Sequence, residues 1–194
     1  QAGIAFDEVM VRFDSFDPGS AFKKALANAT PTGKVPLLVG GDLAVWDTLA
    51  IAEYVAEQYP DKQLWPADKA ARARARSICA EMHSGFTALR GNCPMNIEAH
   101  LPDVGALAWR DQPAVRADVA RLVQMWGGLL QAHGGPMLFG EFCAADAFFA
   151  PVCLRLATYA LPVPPHIGDY IERVRALPAL QEWVAAAWAE EDFR

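Results

Sequence analysis

Metal and disulfide chemistry have little to build on in this 194-residue sequence. Its four cysteines, Cys79, Cys93, Cys143 and Cys153, make no CxxC, and its four histidines, His83, His100, His133 and His166, make no HExxH. The thiols therefore read as reduced, and no metal site is expected. Basic charge is also short: 17 Lys and Arg stand against 23 Asp and Glu, a net charge of −6. That balance argues against a protein that tracks phosphate backbones, so nucleic acid is not an expected partner. No charged segment followed by an apolar stretch opens the chain, and no apolar run nears the roughly 20 residues that a membrane span needs. The expected setting is the cytoplasm, with no membrane association. What is present is an apolar content of 53%, enough to fill a substantial core and to exclude disorder.

The first third of the chain changes period repeatedly. Gln1-Ala2-Gly3 reads as the end of a helix closed by glycine. Residues 6–14 alternate, with apolar Val9, Val11 and Phe13, and predict a strand buried on one face. Residues 18–29 place Phe22, Ala25, Leu26 and Ala29 at helical spacing before Thr30-Pro31-Thr32-Gly33 breaks the pattern. Two short apolar runs, 35–39 and 43–46, flank Gly40-Gly41-Asp42 and predict an antiparallel hairpin. A helix with an acidic start follows at 47–59 and ends before Pro60. The first module is thus β-α-β-β-α over residues 1–60.

Residues 61–69, with charges, a proline and no period, read as a linker. Beyond it, helical periodicity covers about 69–91, 113–133, 143–160, 165–176 and 178–190, so residues 70–194 predict an all-helical domain. On the first of these helices Ile78, Met82, Gly85 and Leu89 form a core stripe, and Cys79, His83, Phe86 and Arg90 form the next stripe round. Arg72, Arg74 and Arg76 read as a solvated or dimer-facing surface.

Three motifs in order carry a resemblance: Gly33-Lys34-Val35-Pro36-Leu37-Leu38, Trp46-Asp47-Thr48-Leu49-Ala50-Ile51 and Phe142-Cys143-Ala144-Ala145-Asp146. With the stretch from Glu81 through Asn96, they make essentially the whole chain resemble the glutathione S-transferase superfamily, in a bacterial branch. The resemblance implies a thioredoxin-like N-terminal domain followed by an all-helical one. It implies that Val35, before a cis Pro36, offers its backbone to the cysteinyl part of glutathione. An X-Pro bond has lost most of its trans preference, which makes that isomer accessible. Asp47 and Thr48 would grip the γ-glutamyl group from a helix start, where unpaired N–H groups favour an anion. Asp47 is also a good N-cap, and the two roles are compatible. Lys34 would sit near the glycyl carboxylate. His83, Phe86 and Arg90 either line a co-substrate cleft or form an exposed flank. Asp146 would complete a folding element, a capping box in which Cys143 holds the cap.

Such proteins hold the glutathione thiol near a donor that favours thiolate. The resemblance puts that donor in a first strand-to-helix turn upstream of Gln1. No catalytic residue is therefore assigned, and neither Tyr54 nor Ser84 substitutes for it. The fold uses four strands where three are predicted, so about twenty further upstream residues are expected and the chain alone is expected to be unstable. The leading function is transfer of glutathione to a small, largely apolar electrophile in detoxification, by a homodimer without metal. A noncatalytic glutathione-fold binding module, or a glutathione-dependent isomerase or reductase, is the alternative.

Overall fold

The two short apolar runs on either side of Gly40-Gly41 do form a hairpin in the computed structural model, which describes residues 1–27, 29–30 and 32–190. Strand β1 (Leu37–Gly40) pairs antiparallel with β2 (Leu43–Trp46), Leu37 opposite Trp46 and Gly40 opposite Leu43. Gly41 takes the turn with φ of +58°, a conformation that costs glycine little. Before the hairpin lies helix α1 (Ala21–Leu26), whose Phe22 and Leu26 are buried and whose N-cap Ser20 accepts the Lys23 N–H. After it comes α2 (Thr48–Gln58), packed on β2. None of the α2 side chains is fully buried.

The strand predicted over residues 6–14 does not form: residues 1–15 carry neither helix nor strand, and the described sheet has two strands. Alternation prepares a segment to pair, but a strand exists only through a neighbour's backbone, and among the described residues none lies alongside. Phe6 and Val9 are consequently 79% and 82% exposed. The end of this segment is nevertheless tied to α1. The Asp14 carboxylate accepts the N–H groups of Ala21 and Phe22 at 2.8 and 3.1 Å, and these bonds hold its pKa below the usual range. Phe13 meets the Phe16 and Phe22 rings at 4.7 and 5.4 Å. Gly3 has the left-handed φ expected of a helix-closing glycine, yet residues 1–3 are not helical. The first module is therefore α-β-β-α among the described residues.

The chain divides into two compact units, Ala2–Leu64 and one that begins at Trp65. In the second, α3 (Lys69–Ser84) starts at Asp68, whose carboxylate accepts the Ala71 N–H at 2.8 Å. The single helix predicted over 69–91 is two: α3 closes at Gly85, Phe86 turns left-handed with φ of +54°, and α4 (Thr87–Asn92) follows. Then come α5 (Pro102–Asp111), α6 (Pro113–His133), α7 (Ala144–Thr158), α8 (Pro165–Arg175) and α9 (Pro178–Ala189). Helix α5 lies where the periodicity predicts none, in a stretch that carries two helix-breaking residue types, Pro102 and Gly105. Pro102 instead occupies the first turn, where its missing N–H costs nothing. Gly105 lets α5 lie against the Tyr159 carbonyl.

Helix α7 packs on α3 and α8, and α6 packs on α4, α5 and α8. At the centre the fully buried Trp126 ring meets Phe149 and Tyr170 nearly edge-on, centroids 5.4 and 5.1 Å apart. Among the described residues no helix is long and apolar enough to cross a membrane.

Candidate functional site

Because Leu37 faces Trp46 at the open end of the hairpin, the residues entering β1 and those leaving β2 emerge at one end. Lys34, Val35 and Pro36 come in there, and Asp47 and Thr48 go out. The hairpin thus brings together two stretches that the sequence separates by about a dozen positions, the antiparallel pairing alone supplying the juxtaposition. All five residues are exposed, Val35 by 54%. The Val35-Pro36 bond is cis, as expected. The loop before it is held by the Lys23 ammonium, which donates to the Gly33 carbonyl at 2.8 Å.

Asp47 is the whole connection between β2, ending at Trp46, and α2, starting at Thr48. A one-residue corner forces its backbone to φ +72° and ψ 128°, a region costly for any residue with a Cβ, on the order of 1–3 kcal/mol. Its carboxylate accepts the Leu49 N–H at 2.9 Å, which caps α2. The first turn of α2 leaves further N–H groups without helical acceptors, next to an exposed hydroxyl on Thr48. Sequence reasoning found the cap but not the strain. Beside this corner runs an open groove of about 650 Å³ lined by Ala44, Val45, Trp46, Asp47, Leu49, Ala50 and Glu53. Its walls are largely apolar, a binding surface with a polar rim at Asp47.

His83, Phe86 and Arg90 lie in the second unit, and the structure splits them. Phe86 is 7% exposed and Cys79, on the same predicted stripe, is fully buried, so both belong to the core. His83 and Arg90 are exposed and adjacent, the Arg90 Nη1 donating to the His83 carbonyl at 3.1 Å.

Asp146 is buried at 0% exposure and does more than cap α7. Both halves of the capping box are present. The carboxylate takes the Cys143 N–H at 2.9 Å, the Leu138 N–H at 3.2 Å and the Tyr170 hydroxyl at 3.0 Å. Burial raises its pKa, and the bonds from Cys143, Leu138 and Tyr170 oppose that rise. No sequence signal links Asp146 to Tyr170, since the pair is brought together only by the packing of α7 on α8. All four thiols are free and buried. Burial pushes Cys79 and Cys143 up to about 12. No cluster of three or more metal-ligating side chains occurs among the described residues.

A family model for the N-terminal domain of glutathione S-transferases matches residues 2–57, which contain the whole hairpin site. Glutathione S-transferase 1 of Dianthus caryophyllus is 32% identical over 130 residues, 66% of this chain, and the chain spans only 57% of that relative's length. Glutathione S-transferase Z1 of Arabidopsis thaliana is 42% identical over 181 residues, 89% of this chain and 75% of the relative. Among solved structures, a glutathione transferase homolog from Burkholderia gl BGR1 with bound glutathione superposes with a TM-score of 0.64 at 28% identity, over 84% of this chain and 77% of that one. The chain therefore belongs to the glutathione S-transferase superfamily, a thioredoxin-like N-terminal domain followed by an all-helical C-terminal domain.

Proposed function

We propose that this protein binds glutathione at the open end of the β1–β2 hairpin and conjugates it, through its thiolate sulfur, to a small, largely apolar electrophile. The observation that carries the reading is the convergence there of Lys34 and Val35 with Asp47 and Thr48, inside the stretch matched by the family model. The first turn of α2 favours the γ-glutamyl carboxylate, because its unbonded N–H groups and the helix dipole both attract negative charge. The exposed Val35 backbone offers one N–H and one C=O to an extended peptide, and Lys34 offers a charge to the glycyl carboxylate. In the reaction the glutathione thiolate attacks the electrophile, the new C–S bond forms as the leaving group departs, and the thiol proton goes to solvent.

Calorimetric titration with glutathione, paired with conjugation of 1-chloro-2,4-dinitrobenzene, tests this. The wild-type protein is expected to bind glutathione, and Asp47→Ala combined with Thr48→Ala is expected to weaken binding about tenfold or more while the circular dichroism is unchanged. Undiminished affinity in the double variant sinks the site. Binding without conjugation supports instead a glutathione-binding module or an isomerase.

A further inference from the structure

The junction between α3 and α4 is a bend held under strain. Gly85 closes α3 with its N–H on the Glu81 carbonyl at 2.8 Å, and a Cβ at this position would lie 2.7 Å from that same carbonyl oxygen. Phe86 follows at φ +54° and ψ +37°, in the left-handed region that a bulky side chain seldom enters, and it is 7% exposed there. Its side chain supplies no cap to α4. The cap comes instead from α6, where the Asp118 carboxylate accepts the Leu89 N–H at 2.9 Å. One turn further along α6, Arg121 grips the other arm of the bend, its Nε and Nη2 donating to the Glu81 carboxylate at 2.6 and 2.9 Å. A third tie crosses the break, from the Arg90 Nη1 to the His83 carbonyl at 3.1 Å.

All three ties are made by exposed or half-buried side chains, so water competes for each of them. The strain at Phe86 is therefore held by bonds that solvent can replace. Nothing between Lys69 and Cys93 forbids the alternative, because that stretch contains no proline and keeps its helical period. A helix running straight through would return Phe86 to ordinary helical dihedrals and offer the His83 and Ser84 carbonyls to the N–H groups of Thr87 and Ala88. It would also set Phe86 in line with His83 and Arg90, the stripe that the sequence predicts and the bend breaks up.

We propose that Gly85-Phe86 is a hinge with two settings. In the bent one, latched by Asp118, Phe86 is packed in the core. In the straight one α3 runs on into α4, and Phe86 stands beside His83 and Arg90 as the aromatic part of a surface for a small apolar molecule. The hinge works independently of the glutathione site, and its test uses no glutathione.

Ser77 and Gly91 are exposed and the four native thiols are buried, so Ser77→Cys and Gly91→Cys take spin labels selectively in the full chain. From 77 to 91 a continuous helix spans about 21 Å, and a bend shortens that distance. Electron-spin distance measurement should find the labelled parent at the shorter value. Gly85→Ala should move the population to about 21 Å, since its methyl meets the Glu81 carbonyl in the bent setting and favours helix over glycine in the straight one. Asp118→Ala should move it in the same direction. A Gly85→Ala protein that keeps the shorter distance overturns the hinge; should that variant fail to fold, Asp118→Ala decides alone, and there too an unmoved distance overturns it. Without labels, Gly85→Ala should bind 2-naphthol about threefold or more tightly than wild type does, and adding Phe86→Ala should remove the gain. Equal binding by Gly85→Ala and wild type overturns the apolar surface.

Discussion

Replacing Tyr170 by phenylalanine removes a single oxygen from the centre of the helical unit. The ring contact with Trp126 at 5.1 Å stays, and only the hydroxyl that donates to Asp146 at 3.0 Å is lost. A hydrogen bond to a charged group contributes about 1.5–3 kcal/mol. Asp146 keeps the Leu138 and Cys143 N–H groups, so Tyr170→Phe should cost about 2 kcal/mol. Asp146→Ala is a different perturbation, because it strands all three donors in a place water does not reach. At about 1–3 kcal/mol each, the loss is about 3–9 kcal/mol, a large share of the roughly 5–15 kcal/mol that holds a domain folded. Urea unfolding followed by circular dichroism and tryptophan fluorescence reads both. Tyr170→Phe should lower the midpoint at constant slope, whereas Asp146→Ala should lose most of its cooperative transition. In the Asp146→Ala background, adding Tyr170→Phe should cost less than it does alone, since the partner is already gone. Tyr170→Phe within about 0.5 kcal/mol of wild type, or Asp146→Ala no worse than Tyr170→Phe, would refute the reasoning.

Gly105→Ala should destabilise the helical unit by about 3 kcal/mol in a thermal melt, because a Cβ there lies 1.8 Å from the Tyr159 carbonyl oxygen and neither backbone can yield without moving α5; an unchanged melt contradicts the close approach. Burial pushes Cys79 and Cys143 to about 12, so the folded chain holds these thiol protons more tightly than the unfolded one, in which a thiol titrates near 8.5. Their contribution to stability is full below about pH 8.5 and is lost as pH rises toward 12, and at pH 8 a thiol reagent should label the buried cysteines only after urea is added. Fast labelling of the native protein at pH 8 would show that the thiols are accessible. At the strained corner, Asp47→Gly and Asp47→Ala both lose the cap, but only glycine relieves the positive φ, so Asp47→Gly should be the more stable by about 1 kcal/mol; the reverse order would mean the corner is unstrained.

The hairpin was legible because its signals are local: a short apolar run on each side of a glycine turn, with an N-cap aspartate one residue past the second strand. The same locality explains what could not be read. Residues 6–14 alternate as a strand does, yet whether an alternating segment pairs depends on a neighbour that its own pattern does not contain. At Gly85 and Phe86 the apolar period runs on without a proline, so Gly85 reads as part of the core stripe although it is the glycine that closes α3. Helix α5 was hidden by Pro102 and Gly105, whose reasons lie in a first turn and in a contact with Tyr159 over fifty positions away. At the candidate site, Asp47 could be named from its place before a helix, but its strain comes from how little chain separates β2 from α2. The Asp146 cap was readable at three-residue spacing, whereas its bonds to Leu138 and Tyr170 arise only from tertiary packing.

Isothermal titration of the purified protein with glutathione, wild type beside the Asp47→Ala, Thr48→Ala double variant, decides whether the hairpin end holds the tripeptide. Wild type should show saturable one-site binding, and a double variant that keeps its circular dichroism should bind about tenfold or more weakly. Wild-type protein that gives no binding heat, or a folded double variant that binds glutathione as tightly as wild type, would contradict a glutathione site there.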